Sequence, residues 1–172
     1  MLKNLELKAR IASLKRAQAV CRRVDAAYRG KLAQIDTYFR VRKGRLKLRE
    51  INSKQFEIIC YFRENLKKSR YSNYLVVPVI DPKRTKELCS RLFGVRAVVR
   101  KNRFLYLYKN ARIHIDAVKG LGTFIEFEVM VNQGKQQARQ LMQFLTATFG
   151  IAEDSIIAVS YVDLAVRKKT RA

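Results

Sequence analysis

Apolar and polar positions alternate with a period of two along most of this chain. Leu5 and Leu7 alternate with Glu6, Lys8 and Arg10. Ile35, Thr37, Phe39 and Val41 alternate with Asp36, Tyr38, Arg40 and Arg42, and Leu46 and Leu48 with Arg45, Lys47 and Arg49. Ile58, Cys60 and Phe62 alternate with Glu57, Ile59, Tyr61 and Arg63. Each segment predicts a strand with one apolar and one polar face. The second half repeats the design. Leu75 to Val79 reads as a strand, Lys101 and Arg103 open a polar face, Ile113 and Ile115 alternate with Arg112, His114 and Asp116, and Ile125, Phe127 and Val129 with Glu126 and Glu128. Gly44, Lys109-Asn110 and Gly120-Leu-Gly122 mark the turns.

Helical spacing appears at three places. Ser13 to Tyr28 carries Leu14, Ala17, Cys21, Val24 and Tyr28 on one stripe, with Ser13 as N-cap. Asp81-Pro82 starts a second helix whose stripe is Leu88, Leu92 and Phe93 and which Gly94 ends. Gln136 to Phe149 carries Ala138, Leu141, Leu145 and Phe149, with Gly150 as its stop. Ser155 to Val166 fits neither period, and Arg167 to Arg171 reads as a frayed basic end. The order is a duplicated strand, helix, three strands, then a closing helix. Eight strands joined mostly by hairpins suit a closed antiparallel β-barrel of the α+β class with helices outside, because closure leaves no open edge. No composition shift divides the chain, so residues 1–166 are expected to form one domain, followed by the basic tail 167–172.

Composition changes this picture in one respect. Hydrophobic residues make up 48% of the 172 residues, enough for a packed core, yet the formal net charge is +23, which calls for a polyanionic partner. Cys21, Cys60 and Cys89 have neither disulfide nor metal spacing and point to a reducing cytoplasm. No apolar run is long enough to cross a bilayer as a helix, and the start does not resemble a signal peptide.

Same-face side chains on a strand lie roughly 6.5–7 Å apart, so Glu6, Lys8 and Arg10 project together, as do Arg45, Lys47 and Arg49. An alternative is a helix-backed sheet whose basic face is merely solvated. Against it, the charged face runs nearly unbroken through both repeats, and the acids are restricted to the first strand (Glu6) and the last two (Asp116, Glu126, Glu128). Barrel closure would gather those carboxylates opposite an arc of Arg and Lys. That division of labour suits a metal-complexed polyphosphate: oxygen ligands for Mg²⁺ or Mn²⁺, guanidinium and ammonium groups for the phosphate oxygens.

Asn4 to Arg10, Gln34 to Phe39, Arg45 to Glu50, Tyr61 to Arg63, Lys101 to Arg103, Ile113 to Asp116 and Gly120 to Glu128, taken in this order, resemble the CYTH family. That family groups class IV adenylyl cyclases with thiamine and inorganic triphosphatases, and the segments are most similar to the cyclase-like branch. The resemblance implies an eight-stranded tunnel that binds triphosphates with a divalent metal. It places Arg45, Lys47, Arg49, Arg63, Lys101 and Arg103 at phosphate-binding positions, and Asp116, Glu126 and Glu128 at metal-binding positions. In the first-strand signature Glu-x-Glu-x-Lys, the first position is Asn4, which carries no charge and weakens any second metal site; Glu6 and Lys8 fill the rest. Lys8 is a candidate both for gripping phosphate and for general-base catalysis.

His114, the one histidine, has no cysteine partners for zinc and is expected as a wall residue within reach of substrate. Tyr38 and Tyr61 line the same wall, whereas Lys67-Lys68 and Lys83-Arg84 read as solvated surface charge. No Walker-type glycine loop is present. The expected activity is metal-dependent chemistry on a small-molecule triphosphate: cyclisation of ATP to cyclic AMP and pyrophosphate, or hydrolysis of an inorganic, thiamine or nucleoside triphosphate. A non-catalytic polyphosphate sensor and a nucleic-acid binder are the competing classes. The interior carboxylates disfavour the nucleic-acid class, no membrane partner is expected, and a homodimer is left open.

Overall fold

The computed structural model describes residues 2–63, 68–132 and 134–170. Eight strands close into one antiparallel barrel. They are β1 (Leu2–Arg10), β2 (Ala27–Phe39), β3 (Arg45–Ile51), β4 (Gln55–Arg63), β5 (Arg70–Pro78), β6 (Val95–Tyr108), β7 (Ala111–Val118) and β8 (Gly122–Met130). Four helices accompany them: α1 (Leu14–Arg23), α2 (Pro82–Phe93), α3 (Lys135–Thr148) and α4 (Tyr161–Thr170).

The strand order is β1-β5-β4-β3-β2-β6-β7-β8, so two β-α-β-β-β units meet with β1 against β5 and β2 against β6, and β8 returns to β1. This is the duplication legible in the alternating pattern. The turns carry it locally. Gly44, between β2 and β3, has φ +73, and a Cβ there would lie 2.7 Å from the Phe62 ring, so only glycine fits. The Asp81 side chain accepts from the Arg84 amide at 2.9 Å and Pro82 opens α2, as their order along the chain demands.

The main hydrophobic core lies outside the barrel. Leu5, Leu7 and Ala9 of β1, Ile113 and Ile115 of β7, and Ile125, Phe127 and Val129 of β8 point outward and are buried by Ala17 and Cys21 of α1 and Ala138, Met142 and Leu145 of α3. The opposite faces of the same strands point inward and carry the charges, because successive side chains alternate across a strand. A smaller cluster, built around Phe124, Val99, Tyr161 and Val162, seals one end of the barrel beneath α4.

Four expectations are corrected. The first helix ends at Arg23 rather than Tyr28, because Asp25 adopts a left-handed φ of 54° and Tyr28 already pairs with Tyr106 in the sheet. Strand β2 stops at Phe39, short of Val41 and Arg42. The stripe of α2 does not reach a core: Leu88 and Leu92 are 58% and 66% exposed. Its contacts are the Lys86–Glu50 ion pair at 3.3 Å and the Gly94 carbonyl, which accepts from the Arg40 amide at 3.1 Å. Finally, Arg167 to Thr170 are not frayed but continue α4, where the Lys168 ammonium donates to the Gly120 carbonyl at 2.7 Å. The stretch before α4 forms a single 3-10 turn (Glu153–Ser155) and an isolated bridge from Ile156 to Ala9. Lys67 and Arg171 lie outside the described residues. No helix among the described residues is long and apolar enough to cross a membrane.

Phe127 is fully buried and meets Phe149 edge-on, centroids 5.2 Å apart, which ties the barrel wall to the end of α3. Phe127→Ala is expected to lower unfolding stability by about 3–5 kcal/mol, measured by urea titration; a cost under about 1 kcal/mol would show that this face is not the core.

Candidate functional site

The barrel encloses a cavity of about 470 Å³ lined by side chains of all eight strands together with Ser160 and Tyr161. Register explains the convergence. Lys8 sits opposite Glu126 and Glu6 opposite Glu128 across β1–β8, Asp36 opposite Arg49 across β2–β3, and Arg103 opposite Asp116 across β6–β7. Half-buried Leu32, Ile51, Val76 and Leu105 line the end away from α4.

One half of the cavity is cationic and organised by a single acid. Asp36 is fully buried and accepts from Lys47 at 3.1 Å, from Arg49 at 2.7 and 2.9 Å, and from Lys101 at 2.8 Å. Burial pushes its carboxyl upward, but Arg49, Lys101 and Lys47 outweigh that and hold it well below the usual range. The lysines show the reverse balance. Burial and the guanidinium of Arg49 depress Lys47 well below an ordinary lysine, against the pull of Asp36. Lys101 is brought down to about 8 by burial, with Arg49 and Arg103 adding to the fall and Asp36 opposing it. Three cations share one carboxylate, so this half holds surplus positive charge ready for an anion.

The other half holds the carboxylates. Glu126 is 7% exposed and takes Lys8 at 3.0 Å and Arg103 at 3.1 Å. Burial would raise it, yet Lys8, His114 and Arg103 keep it well below the usual range. Glu128 pairs with Arg112 at 2.7 Å. His114 stands beside both, its Nδ1 3.7 Å from an oxygen of each, too far for a hydrogen bond. Burial first, and Arg103 second, push this imidazole below its ordinary value despite the neighbouring carboxylates. That downward push favours the neutral imidazole, the form that ligates metal.

One ligand atom each from His114, Glu126 and Glu128 lies within 4.8 Å of the others. His114 Nδ1 is buried without a hydrogen-bond partner among the described residues, as is Asn4 Oδ1 in the same cavity. Two carboxylates and an orphaned imidazole nitrogen form a donor set that fits a divalent cation, and the neutral amide oxygen of Asn4 lines the same cavity.

The expected residues divide accordingly. Glu6, Lys8, Lys47, Arg49, Lys101, Arg103, His114, Glu126 and Glu128 all line the one cavity, as do Tyr38 and Tyr61. Asp116 does not join the three-residue cluster. It is fully buried, chelates Arg103 at 2.8 and 2.7 Å, and accepts from the Tyr161 hydroxyl at 2.8 Å. His114, expected as wall, stands among the potential ligands instead. Glu6 lies beside Glu128 but outside that cluster. Arg45 turns to the closed end and pairs with Asp163 at 3.0 Å. The side chain of Arg63 lies outside the described residues.

Asp36 and Tyr161 hold places in the site that the sequence pattern does not mark. Asp36 was visible on the polar face of its strand, but nothing in the spacing marked it as the hub for three cations. Tyr161 came from a segment with no period. It plugs the cavity with its ring 3.9 Å from the Lys8 ammonium and 5.6 Å from that of Lys101.

The CYTH domain profile matches residues 2–161. A protein of Methanocaldococcus jannaschii named "Putative adenylate cyclase MJ0240" is 29% identical over 136 residues, covering 76% of this chain and 75% of the relative. The PH1012 protein of Pyrococcus horikoshii OT3 superimposes with a TM-score of 0.85 at 24% identity, over 94% of this chain and 98% of that one. The Hippeastrum protein HpAC1, reported with a dominant triphosphatase activity, superimposes with a TM-score of 0.68 at 13% identity, over 97% and 96%. The last two likenesses are of fold.

Asp36→Asn removes the charge that Lys47, Arg49 and Lys101 share, and is expected to cost about 3 kcal/mol or more in urea unfolding; a loss below about 1 kcal/mol would mean that water already screens those cations.

Proposed function

Because this chain belongs to the CYTH family, we propose that it is a divalent-metal-dependent enzyme acting on a triphosphate in the barrel cavity, in the manner of an adenylyl cyclase. ATP would yield cyclic AMP and pyrophosphate. One observation carries the reading: the surplus-cationic half around Asp36 faces the His114, Glu126 and Glu128 cluster across a single enclosed cavity.

Each half has its task. Lys47, Arg49, Lys101 and Arg103 would bind the phosphate chain, Arg49 and Arg103 through the guanidinium donors that Asp36 and Asp116 leave unused. Asp116 and Tyr161 fix Arg103, so its guanidinium is oriented before substrate arrives. Glu126, Glu128 and His114 would hold Mg²⁺ or Mn²⁺, with Glu6 and the Asn4 amide oxygen alongside, and the nitrogen donor suits Mn²⁺ at least as well as Mg²⁺. The bound ion would neutralise phosphate oxygens and polarise the phosphorus. Lys8, ion-paired with Glu126, orients that carboxylate and offers a donor to the phosphate chain. A proton acceptor is better supplied by Lys101, which burial brings to about 8, or by Lys47. Leu32, Ile51, Val76 and Leu105 offer the apolar contact that a nucleobase would use. With three free cysteines, a reducing cytoplasm suits this enzyme.

Hydrolysis of the terminal phosphate is the second reading. Tyr161 and α4 close one end, so a substrate entering by the other would lead with its terminal phosphate. Incubation with Mg²⁺ or Mn²⁺ and ATP, tripolyphosphate or thiamine triphosphate, followed by product analysis, separates the two. Cyclic AMP with pyrophosphate marks the cyclase and orthophosphate the hydrolase, while no turnover of any of them sinks the enzymatic reading in favour of a sensor. Glu126→Ala is expected to cut turnover at least about 100-fold; an unaltered rate would remove the metal assignment. Affinity for tripolyphosphate, measured calorimetrically, is expected to weaken as pH rises through about 8, since Lys101 then loses its proton and its charge. In Lys101→Gln that pH dependence should vanish, and its persistence would assign the titration elsewhere.

A further inference from the structure

The cavity does not explain the charge of this protein. Six Lys and Arg side chains line it, and five Asp and Glu side chains face them there. The site therefore accounts for one unit of the formal +23, and most of the remaining Lys and Arg among the described residues are exposed. That is far more than the magnitude of about 2–8 that keeps a small domain soluble.

Part of this exterior charge is concentrated at the closed end. The turn after β2 presents Arg40, Arg42 and Lys43, all exposed, and the start of β6 adds exposed Arg96. Arg40 and Arg96 are neighbours through the Gly94 carbonyl, which accepts from the Arg40 amide at 3.1 Å. Asp163, near the start of α4, accepts from Arg96 at 2.9 Å and from Arg45 at 3.0 Å, so α4 crosses this end with its exposed Arg167 to Lys169 on the same side of the barrel. The turn and the start of β6 line a cavity of about 260 Å³, separate from that of the barrel, with Arg40, Arg45 and Arg96 around it beside Val41 and Gly44. Asp163 is the one carboxylate paired there among the described residues, and it divides its oxygens between Arg45 and Arg96.

We propose that the closed end is a binding surface for a nucleic-acid backbone, with one phosphate seated among Arg40, Arg45 and Arg96 and its neighbours held by Arg42, Lys43 and the basic end of α4. A pocket of this size with three guanidinium groups takes a single phosphate in forked geometry. Cations strung along a turn and a helix end then follow a chain of phosphates rather than one ion. A nucleic acid is favoured over a flat anionic bilayer because the three guanidinium groups line a recess, which a protruding backbone phosphate can enter and a planar array of headgroups cannot. The surface lies outside the barrel, so this binding is independent of the triphosphate in the cavity.

The test is fluorescence anisotropy with a labelled single-stranded RNA and a DNA duplex of about 20 nucleotides across a potassium chloride series. Tight binding with a steep salt slope is expected, unchanged by tripolyphosphate at one equivalent, which fills the barrel cavity without excess polyanion to compete outside. The triple variant Arg40→Glu, Arg42→Glu, Lys43→Glu should weaken binding at least about tenfold at 0.1 M salt and flatten the slope by roughly two to three, about 0.9 per lost phosphate contact. Melting temperature and triphosphate turnover should remain those of the parent. A control variant, Lys15→Glu, Arg16→Glu, Arg22→Glu, changes net charge equally and should retain affinity within about twofold. Equal losses in both variants would show a diffuse charge effect and overturn the assignment. So would competition by tripolyphosphate at one equivalent, absence of binding to either nucleic acid, or stronger retention on phosphatidylserine vesicles at the same salt.

Discussion

A charge taken out of water must find a partner, and this barrel is built around that constraint. Lys8, Lys47, Lys101, Arg103, Asp36, Asp116 and Glu126 are all buried inside it. An isolated ionised group there would cost several kcal/mol, so each is tied to an opposite charge across a strand pair. Asp36 serves three cations at once, and Arg103 serves both Asp116 and Glu126. Such shared pairing leaves the wall neutral enough to fold yet locally unbalanced. The cationic half still lacks one or two anions, and the opposite half still offers donors, among them the Nδ1 of His114. That residual imbalance is what an incoming metal and phosphate chain would complete.

The same constraint turns the fold inside out. Because the lumen is reserved for charge, the apolar faces of β1, β7 and β8 must be covered from outside, and α1 and α3 do so. The helices are therefore structural supports for the site: they hold the strands whose inward faces carry Glu6, Lys8, His114, Glu126 and Glu128. The two sides of the molecule differ in this respect. Leu75 and Val77 of β5 and Leu88 and Leu92 of α2 remain exposed, so the start of the second repeat is less completely clothed than the last strands. The more heavily packed half is the one that holds the donor cluster, where ligand geometry must be kept to fractions of an ångström.

Closure at one end adds direction. Tyr161 enters the cavity from the segment before α4 and meets Asp116, the Lys8 ammonium and the Phe124 ring, making the seal part of the site. Asp163, two residues further on, reaches the other way to Arg45 and Arg96 outside. A short stretch of chain thus separates two anion-attracting regions, one inside the barrel and one at its closed end.

By itself the sequence determined the duplication and the inward faces of most strands, because alternation with a period of two is a local property of the backbone, but it missed the first half of β5, where Ser72 and Tyr74 face the cavity. It also marked Glu126, Glu128, Lys47 and Arg103 as members of one charged face, and two helix starts through Ser13 and Asp81. Only the tertiary structure decided how those members pair. Asp36 became a hub, Asp116 became the anchor of Arg103, and His114 rather than Asp116 joined the two glutamates, because register and barrel closure set distances between strands far apart in sequence. Tyr161 and the helical end of α4 were likewise beyond reach, since their place is fixed by contacts with Asp116, Arg45 and Gly120 and not by any pattern of their own. Local physics chose each residue's side of the wall; the chain's return upon itself chose its neighbours.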